Sequence, residues 1–280
     1  MAEITAAAVR ALRERTGLPM MDCKKALSAS DGDETQAIEW LRERNKGKLE
    51  ERAGNATGEG RIFVQLADDH SAAGIVEIQC ESAPVAGSES LGNLAKQFVA
   101  KTLETGVSTP EALFDEKASN GQTFRELFDE VSGQIREKIV VARVARVEGP
   151  VASYVHHDGK SAALFQATPT KEGVTPDFAL MRDVAMHITA MRPTATTEAE
   201  VDPALVAAEK ERLMEEARAT GKPENVIEKI VAGRLNNLFV EQGVLVLQPF
   251  AKEETKTVGQ ALAEKGLEAK GFQLWLLGGE

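Results

Sequence analysis

Cysteine is scarce in this chain: Cys23 and Cys80 are the only two in 280 residues. They stand far apart and in no C-x-x-C or zinc spacing, which excludes a disulfide framework and suits a reducing compartment. Histidine is almost as rare, at His70, His156, His157 and His187. No H-E-x-x-H, G-x-S-x-G, phosphate-binding loop or dinucleotide fingerprint occurs, so no familiar catalytic constellation is present. Basic residues are outnumbered, 33 Lys and Arg against 44 Asp and Glu, for a net charge of -11. A nucleic-acid binder neutralises phosphates with Lys and Arg, so this balance argues against DNA or RNA as the main partner. No apolar run approaches the roughly 20 residues of a membrane helix. Residues Met1 to Thr5 carry no basic stretch followed by an apolar one, and the reading is of a cytosolic chain without a leader.

What is present is an ordinary globular composition, 42% hydrophobic and 28% charged. Thr5 can cap a helix, with Ile4 and Val9 as its hydrophobic staple, and Ile4, Ala8, Val9 and Leu12 share one face. That helix is expected to stop near Gly17 and Pro19 to open the next, which presents Met20, Cys23, Ala26 and Leu27. Asp33 with Gln36 has the spacing of a capping box for a third helix burying Ala37, Ile38 and Leu41. Three short helices to about Arg44 make a small bundle. Residues 46–60 combine charge with Gly54, Gly58 and Gly60 and no apolar period, the pattern of a linker.

Beyond the linker the period changes from helical to strand-like. Arg61 to Leu66 and Gly74 to Cys80 flank a polar turn at Asp68, Asp69 and His70, which predicts a hairpin. Helices are expected at Leu91 to Leu103 and Thr123 to Lys138, then a strand at Ile139 to Val147. The order then recurs. Val151 to His157 and Ser161 to Ala167 flank Asp158-Gly159, a strong hairpin signal. Helices follow at Phe178 to Met191, Ala204 to Ala219 and Glu224 to Leu238, and a closing strand at Gly243 to Leu247. A tail helix at Val258 to Lys265 and a strand at Gly271 to Leu277 end the chain. The reading is an α+β fold: a three-helix bundle, then a duplicated core of antiparallel β-hairpins packed with helices. Its expected divisions are 1–45, the linker 46–60, core halves 61–149 and 150–250, and a C-terminal helix and strand over 251–280.

Three residue groups invite a functional reading. His156 and His157 are adjacent in a strand, so they point to opposite faces and cannot share one ion. His187 lies on an apolar helix, as a partly buried, hydrogen-bonded histidine does. Met20 and Met21 are ambiguous: neighbours on a helix are rotated by about a third of a turn, and an exposed Met suits a binding surface as a buried one suits a core.

The run Leu12-Arg-Glu-Arg-Thr-Gly-Leu-Pro-Met-Met-Asp-Cys-Lys-Lys-Ala-Leu27 resembles the N-terminal signature of the elongation factor Ts family. The likeness continues through Gly32-Asp33 and Ala37 to Leu41, Ile75 to Glu81, Asp183 to Ile188, Gln248-Pro249-Phe250 and Lys256 to Gln260. It spans nearly the whole chain. The resemblance implies a ubiquitin-associated-like bundle before a core of two similar subdomains. It also implies a binding function without a cofactor or chemistry: gripping the GTPase elongation factor Tu, GDP-bound or nucleotide-free, so that GDP leaves. Carried over, Arg13, Met20 and Met21 would dock on the GTPase domain, which favours the interface reading of the Met pair. The segment after Cys80 would lie near the magnesium and phosphate site, and the hairpin at His156 and Gly159 would meet a more distant domain. The family usually carries Thr-Asp-Phe-Val in that segment, its carboxylate disturbing magnesium and its aromatic acting as a wedge. Here the match is Ser82-Ala83-Pro84-Val85, which has neither group; Glu81 is the nearby carboxylate. The bland reading of the same four residues is a strand-to-helix turn. In the hairpin the family's basic residue is Lys160, and Ser161 stands where the family has an apolar one.

Overall fold

The computed structural model of the chain describes residues 4–219 and 223–279. Residues 1–3, part of the stretch read above for a leader, and residue 280 lie outside them. The chain opens with three helices, α1 (Ala6–Thr16), α2 (Met20–Ala29) and α3 (Glu34–Glu51). The Thr5 hydroxyl accepts from the Ala8 N–H at 3.2 Å, and Ile4 packs on the same cluster as Val9, as the cap and staple require. Leu12, Cys23, Ala26, Leu27, Ala37 and Leu41 fill the bundle core. Asp33 accepts from the Gln36 N–H at 2.9 Å, but its own N–H goes to the Ser30 carbonyl, so only half of the expected capping box forms.

The third helix does not stop near Arg44. It runs to Glu51, and the connection to the core shrinks to 52–58. The extension has a physical cause. α3 packs along α7 (Phe124–Ile135), with the Asn45 side chain against Gly133, where a Cβ would come within 2.7 Å of Asn45 Nδ2. Packing of this kind outweighs the cost of about 1 kcal/mol that a glycine such as Gly47 brings to a helix interior. A cleft of about 930 Å³ remains between bundle and core, lined by Leu18, Ile38 and Leu41 on one side and Phe128 and Ile139 on the other.

The core begins with the hairpin β1 (Glu59–Leu66) and β2 (Ala72–Cys80). The helices α4 (Ala83–Ala86), α5 (Glu89–Thr105), α6 (Pro110–Asp115) and α7 then lead to β3 (Ile139–Glu148). The sheet is antiparallel, in the order β1-β2-β3. A second hairpin follows, β4 (Val151–Val155) and β5 (Ser161–Pro169). After it come α8 (Phe178–Met191), α9 (Pro203–Arg218), α10 (Glu224–Glu241), a small ribbon of β6 (Pro249–Phe250) and β7 (Glu253–Thr257), and α11 (Val258–Glu264). The last strand, β8 (Leu267–Leu276), pairs with β5 and gives a sheet ordered β4-β5-β8. Hairpin, helices and closing strand therefore occur twice.

The closing strand of the second half is β8 and not Gly243 to Leu247. That run forms a parallel bridge at Val244 and a 3-10 turn at Leu245–Leu247. Val244 is buried there at the base of the α9–α10 pair, and Leu245 is buried in the cluster that α8 and α11 share with the second sheet. A short β-branched apolar run buries itself equally well in either form, so periodicity did not separate them. The helix and strand over 251–280 accordingly belong to the second half's sheet and core.

Strand alternation builds four layers. Val76, Ile78 and Cys80 of β2 face α5 and α7, while Ala73 and Ile75 face the other way. On that far side they meet Val151, Ala162, Leu164 and Trp275 of the second sheet. The second sheet's other face carries Ala163, Phe165 and Ala167 against α8 and α11. Each large side chain buried between the sheets contributes about 1.5–3 kcal/mol, so the two halves share a core. α9 and α10 stand apart as an antiparallel pair with their own small cluster, Leu213, Ala217, Ile227 and Val231.

Candidate functional site

Ser82, Ala83, Pro84 and Val85 leave the end of β2 as a single helical turn, α4, with Ser82 at the N-cap position, making no side-chain capping bond, and proline within the first turn. Ala83 and Pro84 are exposed, while Val85 packs on the core behind them. The turn is pinned from below. Ser82 donates its N–H to Glu137 Oε2 at 3.0 Å and its hydroxyl to Glu137 Oε1 at 2.7 Å. The Cys80 thiol donates to the Ser82 carbonyl at 3.3 Å, and burial pushes its pKa up, so it stays a thiol. Glu81 bonds to the connection and to Lys138, just before β3, and to no residue of α4 among the described residues. Its carboxylate accepts from the Lys138 N–H at 2.6 Å, Asn55 Nδ2 at 2.9 Å and Arg52 at 3.1 Å. The Lys138 backbone N–H, ahead of those side chains, holds its pKa below the ordinary value. That carboxylate ties the connection to the core.

On the bundle, Arg13 is exposed, and Met20 and Met21 are 43% and 62% exposed. Both methionines sit in the first turn of α2, whose inward face is already filled by Cys23, Ala26 and Leu27. Two neighbouring thioethers left in water form an adaptable apolar surface.

A short segment that no sequence pattern singled out joins these parts. Gln134 Nε2 donates to the Thr16 carbonyl at 2.9 Å, and Arg136 pairs with Asp22 at 2.7 Å. Glu137 holds Ser82, and the Lys138 Nζ donates to the Ala53 and Asn55 carbonyls at 2.6 and 2.9 Å. Residues 134–138 thus touch the bundle, the connection, the end of β2 and α4. Within the segment Arg136 ends α7 in the left-handed region, at φ 64, a structural mark that its residue type does not announce in the sequence.

The hairpin at His156 and Gly159 folds back on β1. Gly159 is buried at φ +71, and its carbonyl accepts from the Ile62 N–H at 2.8 Å. A side chain there would be strained and would start 3.0 Å from Arg61 Cγ, so Gly159 contributes the shape of the turn and not a surface. His156 is half-buried, its Nδ1 3.2 Å from the Tyr154 hydroxyl. Because β4 ends at Val155, the alternation expected of His156 and His157 does not apply: the rings lie 4.3 Å apart. Among the described residues no group of three or more candidate metal ligands comes together.

Comparison with known proteins agrees over most of the chain. The family model described as "Elongation factor TS" matches residues 84–279. An elongation factor Ts of Hyphomonas neptunium is 40% identical over 99% of this chain and 93% of its own length. The chain belongs to the elongation factor Ts family. Other members match similarly: one from Hydrogenovibrio crunogenus is 36% identical over 96% of this chain and 90% of its own length. One from Beutenbergia cavernae is 36% identical over 99% of this chain and all of its own (100%). This is a family of translation elongation proteins, and no helix among the described residues is long and apolar enough to cross a membrane.

Two of the elongation factor Ts motifs that are far apart in sequence meet in space. His187 of α8 is buried, its Nε2 2.9 Å from Gln248 Oε1, while its Nδ1 accepts from the Ala251 N–H at 3.2 Å. The imidazole is therefore neutral with the proton on Nε2, and burial lowers its pKa. Phe250 packs beside it, and Lys252 pairs with Asp183. The Asp183–Ile188 and Gln248–Phe250 blocks form one structural unit.

Proposed function

We propose that this chain is the guanine-nucleotide exchange factor of elongation factor Tu, working in the cytoplasm by binding alone. The observation that carries the reading is the family match along 99% of the chain. A factor that binds the nucleotide-free GTPase more tightly than the GDP form must weaken GDP binding by the same ratio, and needs no covalent chemistry. Arg13, Met20 and Met21 are the docking residues on the GTPase domain; their exposure on the bundle supports this. The turn Ser82 to Val85 is the element that approaches the magnesium and phosphate site, supported by its anchoring through Glu137 and the exposure of Ala83 and Pro84. The His156 hairpin meets a second domain of the same GTPase, with Gly159 setting its form. The bundle is a docking module that can be removed from the core, a reading supported by its own closed cluster around Leu12, Cys23, Leu27 and Leu41.

The test is stopped-flow release of fluorescent GDP from elongation factor Tu. Saturating protein is expected to accelerate release without hydrolysing nucleotide. Binding without acceleration would reduce the role to complex formation.

A further inference from the structure

We infer that Arg61 is a further contact residue of this surface, held between α4 and the β4–β5 hairpin to receive an oxyanion of the GTPase complex. The inference rests on the exchange-factor reading above. Arg61 lies on β1, opposite Ile78 in the register, with its side chain exposed. Its stem lies over Gly159: a Cβ on that glycine would sit 3.0 Å from Arg61 Cγ and 3.1 Å from Cδ. Its guanidinium reaches the other segment, 3.7 Å from where a Cβ on Gly87, at the end of α4, would be. One side chain therefore spans the two core segments assigned to the GTPase.

Its charge has no paired counterpart: the exposed Asp158, beside Gly159, accepts from the Lys160 N–H at 2.8 Å, and the exposed Glu89, two residues past Gly87, makes no ion pair with Arg61 among the described residues. Glu59, on the same face of β1, is paired with Lys160 at 2.7 Å. Glu137 takes the Ser82 hydrogens, and Glu81 is occupied by Arg52, Asn55 and Lys138. Ala83, Pro84 and Val85 bring no charge. Among the described residues the Arg61 guanidinium has neither hydrogen bond nor ion pair, although the chain carries an acidic excess. The packed stem and free head form a preorganised cation, whose planar fork fits a carboxylate or a phosphate through two hydrogen bonds. Either could supply the anion: an acidic side chain of the GTPase or the phosphates of its GDP.

Arg61→Gln keeps the Cβ, Cγ and Cδ that pack on Gly159 and removes only the charge. Binding of wild type, Arg61→Gln, Arg61→Lys and Arg61→Ala to elongation factor Tu, nucleotide-free and GDP-loaded, is measured at low and high salt alongside thermal unfolding. With an unchanged unfolding temperature, Arg61→Gln is expected to bind about tenfold more weakly. Its association should also depend less steeply on salt. Arg61→Lys restores the salt dependence but only part of the affinity. A loss with both GTPase forms assigns the anion to the protein, and a loss with the GDP form alone assigns it to phosphate. If Arg61→Gln matches wild type in affinity and salt dependence, the inference is wrong. If Arg61→Ala alone weakens binding, the side chain braces the two segments and contacts nothing, which also overturns it. If wild type neither binds nor releases GDP, the exchange-factor reading falls first and Arg61 with it.

Discussion

Arg143→Leu removes the cation from a carboxylate that has no access to water. Glu77 lies on the face of β2 that meets the second sheet and is 0% exposed. Its carboxylate accepts from the Arg143 Nε at 2.9 Å and a terminal nitrogen of the same guanidinium. It also accepts from Gln79 Nε2 at 2.7 Å and the Gly278 N–H at 2.9 Å. Arg143 in turn donates to the Leu276 carbonyl at 2.8 Å and lies over the Trp275 ring at 4.5 Å. The pair thus clasps the end of β8 to the first sheet. Stranding the buried charge should cost about 3–5 kcal/mol. Losing the contact with Trp275 adds about 0.5–1 kcal/mol. Replacing both residues, Glu77→Leu with Arg143→Leu, leaves no buried charge. It orphans the Gly278 N–H, at a cost of about 1–3 kcal/mol, while the Leu276 carbonyl and the Trp275 contact are lost equally in the single variant. The double variant should therefore be more stable than Arg143→Leu alone. Urea unfolding at pH 7, followed by circular dichroism, gives the free energies from midpoint and slope. An Arg143→Leu loss below about 1 kcal/mol, the range of an exposed pair, would refute the clasp, as would a double variant weaker than the single.

Met20→Ala with Met21→Ala should lower affinity for elongation factor Tu about tenfold and leave the unfolding temperature unchanged, because both side chains are exposed; titration calorimetry and a thermal melt decide it. His187 resists protonation when folded, so its contribution to stability is complete above about pH 6.5 and declines as pH falls from there toward its lowered folded pKa. His187→Gln should flatten the pH dependence of stability below pH 6.5 relative to wild type, and parallel profiles would contradict the assignment. Ala83→Asp with Pro84→Phe should speed GDP release more than it tightens overall binding: the ring adds about 1–2 kcal/mol only where a pocket opens in the empty GTPase. Unchanged release would mean the partner offers no such pocket, and poor folding would mean Pro84 fixes the turn.

Elements with strong local signals were legible in the sequence. The sequence places α8 at Phe178 to Met191, its observed limits, and the structure shows Asp177 capping it through the Leu180 N–H. The second hairpin was legible from Asp158-Gly159, and the duplicated order from the two hairpins. α4 and α6 were missed, since helices of four and six residues carry less than two turns of periodicity. β8 reads as a tail in the sequence because a strand's partner is not encoded locally: β5 ends 98 residues before β8 begins, with four α-helices and a ribbon between. The same limit hid the 134–138 segment. Its contacts reach back 118 residues from Gln134 to Thr16 and 114 from Arg136 to Asp22, and polar residues at a helix end look like any solvated turn.

That segment matters to the proposed exchange because docking by itself cannot promote GDP release. A contact made equally with the GDP-bound and empty GTPase lowers the free energy of both complexes alike and leaves the nucleotide equilibrium where it was. The bundle's exposed methionines can supply affinity, but discrimination must come from an element that fits the empty site better, and α4 is the element to which the proposed function gives that role. Docking energy is turned into discrimination only if α4 is held at a fixed offset from the bundle. The 134–138 segment supplies that offset, gripping Thr16 and Asp22 on one side and Ser82 on the other. Its links are individually modest: the Arg136–Asp22 pair is partly exposed and worth about 0.2–1 kcal/mol. Such links set geometry at little cost to folding, and weakening them should change how fast GDP leaves before it changes how tightly the two proteins bind.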